Sequence, residues 1–445
     1  MRRITLSATA LIAMLSVTQG IVAQGTESTQ QTSTVTQQND KKMSLSLQDA
    51  INYALEHNRQ LKNASLDVQK AEMQRWQTIA QMLPQIDANF QYTNMFNQEM
   101  ELMGQKMKMN PYGQMTFQAS AGVSVQGIIG AQMQRMAKEM QEINVQKSQQ
   151  ETKYQVESTY TTILALEETV RLLETNVENL EKLKSMTENA VKAGVAEKND
   201  ADQISVQVAS IKSSVNSTKR SIEALYNALI LNIGADSDVE ITLNQKFEDL
   251  VNDGTILELT NSNLDLNQNL DYQMLTKSSE ITDKQKQMAV AAFFPTVGVA
   301  LQNTHKHYFT DGMNFDMTPT NTFVATLSVP IFSSGKRTCA VKEAKIAQIE
   351  QANTVEDTEI GLKIKEKQLK YNLTSAYENY TVQKENINVM SSVFNSYGEK
   401  FKYGRASSMD VTNSSMNLTT AQTNYVNSVL EMVNANIELK KLLNK

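Results

Sequence analysis

The chain is written twice, the second copy following the first at an offset of about 210 residues. Gly194 matches Gly404 and Asp200 matches Asp410. Upstream of these pairs, Ile163 aligns with Leu373, Val170 with Tyr380 and Val177 with Ile387. Downstream, Val208 aligns with Leu418, Val215 with Tyr425, Ile222 with Met432 and Leu229 with Leu439. Pro84 and Pro295 correspond to within one residue of the same offset. Chance does not keep a seven-residue rhythm across two separate segments. The chain is therefore read as a tandem duplication whose halves meet around residues 240–270.

The rhythm says what the repeated unit is. Val156, Ile163, Val170 and Val177 recur every seven residues, interleaved with Leu166, Leu173 and Leu180. After Gly194 come Ile204, Val208, Ile211, Val215, Ile222, Leu225 and Leu229. The second half carries Tyr380, Ile387, Phe394 and Phe401, then Val411, Leu418, Tyr425, Met432 and Leu439. Steps of three and four place an apolar seam along one helix face, the coiled-coil pattern. Only five prolines occur, none between Pro111 and Pro295 and none after Pro330. Proline costs a helix interior about 3 kcal/mol, so the two long proline-free stretches suit unbroken helices. Each half is predicted to hold a long helix, a short turn at Gly194 or Gly404, and a helix returning antiparallel. Residues 131–193 alone would span about 95 Å at 1.5 Å per residue.

Between the helices the period changes to two. Ile86, Ala88, Phe90, Tyr92 and Phe96 alternate with Gln85, Asp87, Asn89, Gln91 and Thr93. Phe117, Ala119, Ala121, Val123 and Val125 alternate with Gln118, Ser120, Gly122, Ser124 and Gln126. Val297, Val299 and Leu301 resume the pattern after Pro295, and Phe323, Ala325, Leu327, Val329 and Ile331 repeat it. Such segments read as strands dry on one face and wet on the other. Their length suits the ~9–11 residues that cross a bilayer on a tilt. Four strands cannot close a barrel, and an open edge in lipid leaves backbone groups unpaired. The chain is expected to share a barrel with copies of itself; two, three or four copies would supply eight, twelve or sixteen strands.

The N-terminus fits export. Arg2 and Arg3 precede an apolar run from about Leu6 to Val17, and small residues lead to Ala23, which reads as a secretory signal peptide. Residues 24–42 are polar and low in complexity. A net charge of −6 offers no basic footprint for nucleic acid. The single cysteine, Cys339, excludes an internal disulfide. No nucleophile–base pair, phosphate cradle or acid–base pair stands out, so neither catalysis nor a cofactor is expected.

These segments resemble the TolC-like outer-membrane efflux proteins, the outer membrane factors, from about Leu45 to Lys445. LSLQDAINYALEHNRQL, from Leu45 to Leu61, is similar to that family's first-helix signature. Met82-Leu83-Pro84, echoed by Phe293-Phe294-Pro295, is similar to its helix-to-strand junction. The stretch from Leu327 through Pro330 to Gly335-Lys336-Arg337 resembles its strand-to-helix exit. The first copy departs there, since Val125 to Gly130 has neither the proline nor the basic pair.

The resemblance implies a mainly α fold with a small β membrane part. Long antiparallel helical hairpins would form a trimeric α-barrel in the periplasm, and four strands per chain would enter a shared 12-stranded outer-membrane barrel. The implied layout is a signal peptide over 1–23, a polar linker over 24–42 and a first repeat over 43–235. That repeat would hold strands near 85–96 and 115–127 and a hairpin turn at 194–200. An equatorial linker over 236–268 would precede the second repeat over 269–445, with strands near 296–308 and 321–332 and a turn at 404–410. The implied function is the exit duct of a tripartite efflux or type I secretion system in a Gram-negative envelope. Its implied partners are two copies of itself, a periplasmic adaptor, a proton- or ATP-driven inner-membrane pump and outer-membrane lipid. By position, Asp200 and Asp410 would form the periplasmic gate, and Gly194, Val195, Gly404 and Arg405 would meet the adaptor. Helix capping is the other reading of both aspartates. A periplasmic coiled-coil structural protein, or the adaptor itself, is the alternative for the whole chain.

Two features stay outside this scheme. Met95, Met100, Met103, Met107, Met109 and Met115 crowd the loop expected between the first two strands. Thioethers bind Cu(I), but methionine is also adaptable apolar filler. His305 and His307 share a strand face without an evident third ligand, so no metal site is assigned.

Overall fold

A computed structural model describes residues 42–445, apart from 97–98, 103–104, 109, 195, 251–252 and 310–314. The expected signal peptide and nearly all of the polar linker lie outside the described residues, as do Val195, Met103 and Met109. Strand β1 (Lys42–Leu45) leads into α1 (Leu47–His57) and α2 (Arg59–Ala80). Strands β2 (Gln85–Thr93), β3 (Glu99–Leu102), β4 (Gln105–Lys108) and β5 (Tyr112–Val123) follow. The first hairpin is α3 (Val125–Lys192) with α4 (Lys198–Ile233). A connecting region holds β6 (Glu240–Leu243) and α5 (Asp253–Asn261). The second copy then runs α6 (Leu270–Ala291), β7 (Thr296–Tyr308), β8 (Phe315–Asp316), β9 (Thr320–Ser328), α7 (Lys336–Lys402) and α8 (Ser408–Leu443).

The duplication is visible element by element. Helices α2 and α6 each have 22 residues, and α4 and α8 each have 36. Helices α3 and α7 have 68 and 67, about 100 Å each at 1.5 Å per residue. Helix α3 starts earlier than its heptads suggest because Ser124, in extended conformation, caps it by accepting from the Gly127 amide at 3.0 Å. Val125, which continues the strand alternation on paper, therefore opens the helix.

One device is built twice. Asn58 breaks α1 from α2: its Oδ1 accepts from the amides of Gln60 and Leu61 at 2.8 and 3.0 Å, and its Nδ2 donates to the Asn232 carbonyl at 2.6 Å. Asn269 does the same at the head of α6, accepting from the Tyr272 amide at 3.0 Å and donating to the Leu442 carbonyl at 3.0 Å. Both asparagines are buried. Two residues beyond each acceptor carbonyl the long helix stops in left-handed conformation, at Gly234 (φ 77°) and Asn444 (φ 54°). Each copy thus ties the start of a short helix to the end of a long one.

The heptad residues form the core. Val170, Leu173, Val177 and Leu180 of α3 pack with Ile204, Val208, Ile211 and Val215 of α4, joined by Phe394, Val411 and Leu418 of the second hairpin. The two hairpins also meet through polar groups: Asn176 Nδ2 donates to Gln422 Oε1 at 2.6 Å in a buried position between α3 and α8. By contrast, Ile346, Ile360, Ile364, Tyr371, Val382 and Val389 of α7 remain exposed on the single chain. Strand β1, at the start of the described residues, pairs in parallel with β6 of the connecting region, Lys42 facing Glu240. Among the described residues no helix is long and apolar enough to cross a membrane.

The four long strands form one antiparallel sheet in the order β2-β5-β7-β9, with the two-residue β8 added beside the outer end of β7. Directly paired residues share a face, so the register tests the alternation. Ile86 pairs with Ala119, Ala119 with Leu301, and Leu301 with Phe323. The neighbouring rows join Ala121, Val299 and Ala325, and Val123, Val297 and Leu327. The intervening rows join Asp87 with Gln118 and Gln302, and Ser120 with Ala300. Over these rows one face is apolar and the other more polar. Beyond Leu301 the apolar face of β7 and β9 gives way to the Asn303–Asn321 pair and to His305 and His307, and Ala300 meets Val324 on the polar face. On β5 the apolar face runs from Val123 to Met115, eight residues, about 27 Å of strand and about 20 Å of height on a ~40° tilt, close to the apolar band of an outer-membrane barrel. Exposed aromatics stand at both ends, Phe293, Phe294 and Phe332 at one and Tyr92, Phe96 and Phe309 at the other.

The strands are shorter than the alternation at two points. Phe96 falls in a turn with φ 40°, where Asn94 Oδ1 accepts its amide at 2.9 Å. Val329 and Ile331 lie beyond the end of β9, where Pro330 has no amide for a ladder. The junction that follows is pinned by Arg337, whose Nη1 donates to the Pro330 carbonyl at 2.7 Å and whose guanidinium lies 5.0 Å from the centre of the Phe293 ring. Among the described residues, strands β2 and β9 each pair on one side only.

Candidate functional site

The two hairpin turns lie at the far end of the long helices from the sheet. Helix α3 ends at Lys192, and the chain reverses through Gly194 at φ 73°. Helix α7 ends at Lys402, and Gly404 reverses it at φ 68°. Glycine adopts positive φ without the penalty a Cβ brings. Nothing lies within 4 Å of where a Cβ would stand at either glycine, so both turns are open surface. Arg405 is exposed beside Gly404, its amide donating to the Lys400 carbonyl at 2.8 Å.

Both aspartates occupy the third position of a returning helix. The Asp410 carboxylate accepts from the Ser407 amide at 2.9 Å and from the Ser407 hydroxyl at 2.8 Å, while the Ser407 hydroxyl accepts the Asp410 amide at 3.1 Å. This reciprocal cap satisfies helix donors at both ends of the turn. The amide and then the hydroxyl of Ser407 hold the Asp410 carboxyl below the usual aspartate range. Asp410 is nonetheless fully exposed, so its charge faces solvent. Asp200 accepts the Glu197 amide at 3.4 Å in the first copy. It also accepts a hydrogen bond from the hydroxyl of Ser408, a buried residue 208 positions away.

The capping alternative is thus realised at both aspartates, and it leaves the exposed carboxylate of Asp410 free for other work. The structure brings Asp200 onto the head of α8 through Ser408, whereas Asp410 is engaged only within its own turn. Ser408 was not distinguishable in the sequence. It stands where the first copy has Lys198, a departure from the repeat at a position that bridges the two turns. Among the described residues no group of three or more His, Cys, Asp or Glu side chains converges on a metal position.

Comparison with known proteins fits this geometry. The family described as "Outer membrane efflux protein" matches residues 50–235 and 262–445, one segment per repeat. No curated protein sequence is significantly similar to the chain. Among solved structures, the fold is similar to CusC, at 17% identity and a TM-score of 0.73, over 89% of this chain and 91% of that one. It is similar to the outer membrane protein VceC of Vibrio cholerae, at 15% identity and a TM-score of 0.70, over 89% and 95%. It is also similar to the CmeC outer membrane channel of Campylobacter jejuni, at 15% identity and a TM-score of 0.71, over 89% and 85%.

Proposed function

The chain belongs to the outer membrane efflux protein family and is an outer-membrane protein with a large periplasmic helical part, and from that premise we propose that three copies form the passive exit duct of a tripartite efflux or type I secretion assembly. The observation that carries this reading is the sheet. It presents one largely apolar face, about 20 Å tall on β5 and close to the thickness of the membrane interior, yet among the described residues β2 and β9 each end it with an unpaired edge. Backbone groups left open in lipid cost several kcal/mol each, so neighbouring copies must pair those edges. Three copies give twelve strands. The exposed apolar residues of α7 support the same assembly, since they form a second stripe that the chain's own helices do not cover. A periplasmic filament or adaptor would have no use for the lipid-width face.

In this duct the polar rows containing Gln118, Gln302 and Ser120 line the lumen. The hairpin turns form the periplasmic end, where Gly194, Val195, Gly404 and Arg405 meet the adaptor, which connects to a proton- or ATP-driven inner-membrane pump. Asp200 and Asp410 from three copies make a collar of six carboxylates that attracts cations and disfavours anions. The bond from Ser408 to Asp200 holds the two turns of each copy together in the closed state. The duct supplies no chemical step of its own.

Planar-bilayer recordings test the collar. Asp200→Asn with Asp410→Asn is expected to cut cation-over-anion selectivity several-fold and to remove block by a trivalent cation such as hexaamminecobalt. The depressed carboxyl of Asp410 sets the pH dependence. A group whose folded pKa lies below its unfolded value keeps its charge and its cap until pH falls through the lower value. Block by the trivalent ion should therefore persist at about pH 4, near the ordinary aspartate value, and fade only below it. Unchanged selectivity and block in the double variant would remove the collar.

A further inference from the structure

The outer end of the sheet gathers donors that the duct does not use. The loop between β2 and β5 leaves the sheet where Thr93 pairs with Tyr112, and His307 and Tyr308 of β7 pair with Gly113 and Tyr112 at the same end. His305 and His307 lie on the face of β7 that carries Val297, Val299 and Leu301. Met115 is the direct cross-strand partner of His305, which places the thioether and the imidazole side by side on that face. Directly opposed residues have Cβ atoms roughly 4.5–5.5 Å apart, and strand neighbours two apart are about 6.6 Å apart. Side chains of this length reach a common point across both distances. The three donors line one groove of about 770 Å³.

His307 is already oriented. Its Nδ1 lies 2.6 Å from an oxygen of the Asp316 carboxylate, and its ring stands edge-on to Phe309 at 4.8 Å. A carboxylate accepts only, so Nδ1 carries the proton, which in the neutral imidazole leaves the lone pair on Nε2. An acidic partner on the far nitrogen is the usual companion of a metal-binding histidine, fixing the tautomer and the ring direction. Asp316 therefore serves as support for a ligand and not as one itself, which is consistent with the absence of a three-membered His, Cys, Asp or Glu group among the described residues.

We propose that the outer end of the barrel wall binds a soft monovalent metal ion, Cu(I) or Ag(I), through the imidazoles of His305 and His307 and the thioether of Met115. Thioether ligation selects this class, whereas hard divalent ions require oxygen ligands. The connecting loop strengthens the assignment. It holds Met95, Met100, Met103, Met107 and Met109 within fifteen residues, while 23 methionines serve the whole chain. Met100 and Met107 are cross-strand partners in the β3–β4 hairpin. The site is independent of the duct proposal, because binding needs only the folded sheet.

The test is a calorimetric titration of the purified, detergent-solubilised full chain with silver nitrate, with zinc chloride as the contrasting probe. Wild type should take up Ag(I) at least tenfold more tightly than Met115→Leu, which keeps the volume and removes the sulfur. His305→Ala should weaken binding by a similar factor. Asp316→Asn, which preserves shape, should weaken it about tenfold, the usual cost of losing such a support. X-ray absorption of the silver-loaded wild type should show mixed nitrogen and sulfur neighbours, with the sulfur signal reduced in Met115→Leu. Equal affinity in wild type, Met115→Leu and Asp316→Asn would overturn the proposal. So would binding lost only in a Met100→Leu, Met107→Leu variant, or tighter binding of Zn(II) than of Ag(I).

Discussion

Replacing Leu301 by arginine is expected to prevent stable assembly in the outer membrane, while the same change at the adjacent Gln302 leaves assembly nearly intact. Leu301 lies in the row Ile86, Ala119, Leu301 and Phe323, close to the middle of the dry face, and is exposed on the single chain. An arginine facing lipid near the bilayer midplane costs about 2–4 kcal/mol, and every copy in the barrel carries it. Gln302 belongs to the opposite face, paired with Gln118 and Thr322, which would line the water of the proposed duct. The yield of heat-modifiable oligomer in membrane fractions separates the two variants. Tolerance at Leu301 with loss at Gln302 would invert the two faces of the sheet.

Gly234→Ala is expected to be the most damaging substitution among the helix-turn glycines. A Cβ there would stand 2.5 Å from the His57 carbonyl oxygen and 2.8 Å from its carbon, both backbone atoms that cannot swing away. The residue also holds φ 77°, which costs an L-residue about 1–2 kcal/mol before any clash. Relief requires moving α4 away from the α1–α2 break, and that movement strains the Asn58 bond to the Asn232 carbonyl. A loss of at least about 3 kcal/mol follows, enough to remove a large share of an ordinary domain's margin. Gly194→Ala and Gly404→Ala carry the backbone strain alone, because their surroundings are empty. Urea midpoints of the three variants should rank Gly234→Ala far below the other two; equal midpoints would show that the junction yields freely.

What could be read before folding was what repeats. The heptads of Val156 to Val177 and Ile204 to Val215 record a 3.5-residue period, and burial follows them closely. The alternation around Ile86, Ala119, Leu301 and Phe323 records a period of two, and the strand register bears it out in the rows of Leu301, Val299 and Val297 but not at Asn303–Asn321 or Ala300–Val324. Single polar residues leave no period. Asn58 and Asn269 look like ordinary surface asparagines in sequence, yet each is buried and joins two helices more than 170 residues apart. Ser408 reaches Asp200 only after two hairpins have packed side by side. The pairing of Asp316 with His307 likewise depends on β8 pairing back against β7. The apolar residues of α7 are a different case: Ile360 and Tyr371 stand outside the heptads read in sequence and are exposed on the single chain, where the proposed trimer would cover them.

The mass of the detergent-extracted protein in its native state tests the shared barrel most directly. The account predicts one species of three chains, so that twelve strands leave no edge in lipid. Two or four chains would contradict the twelve-stranded count, and a single chain inserted in the membrane would contradict sharing altogether.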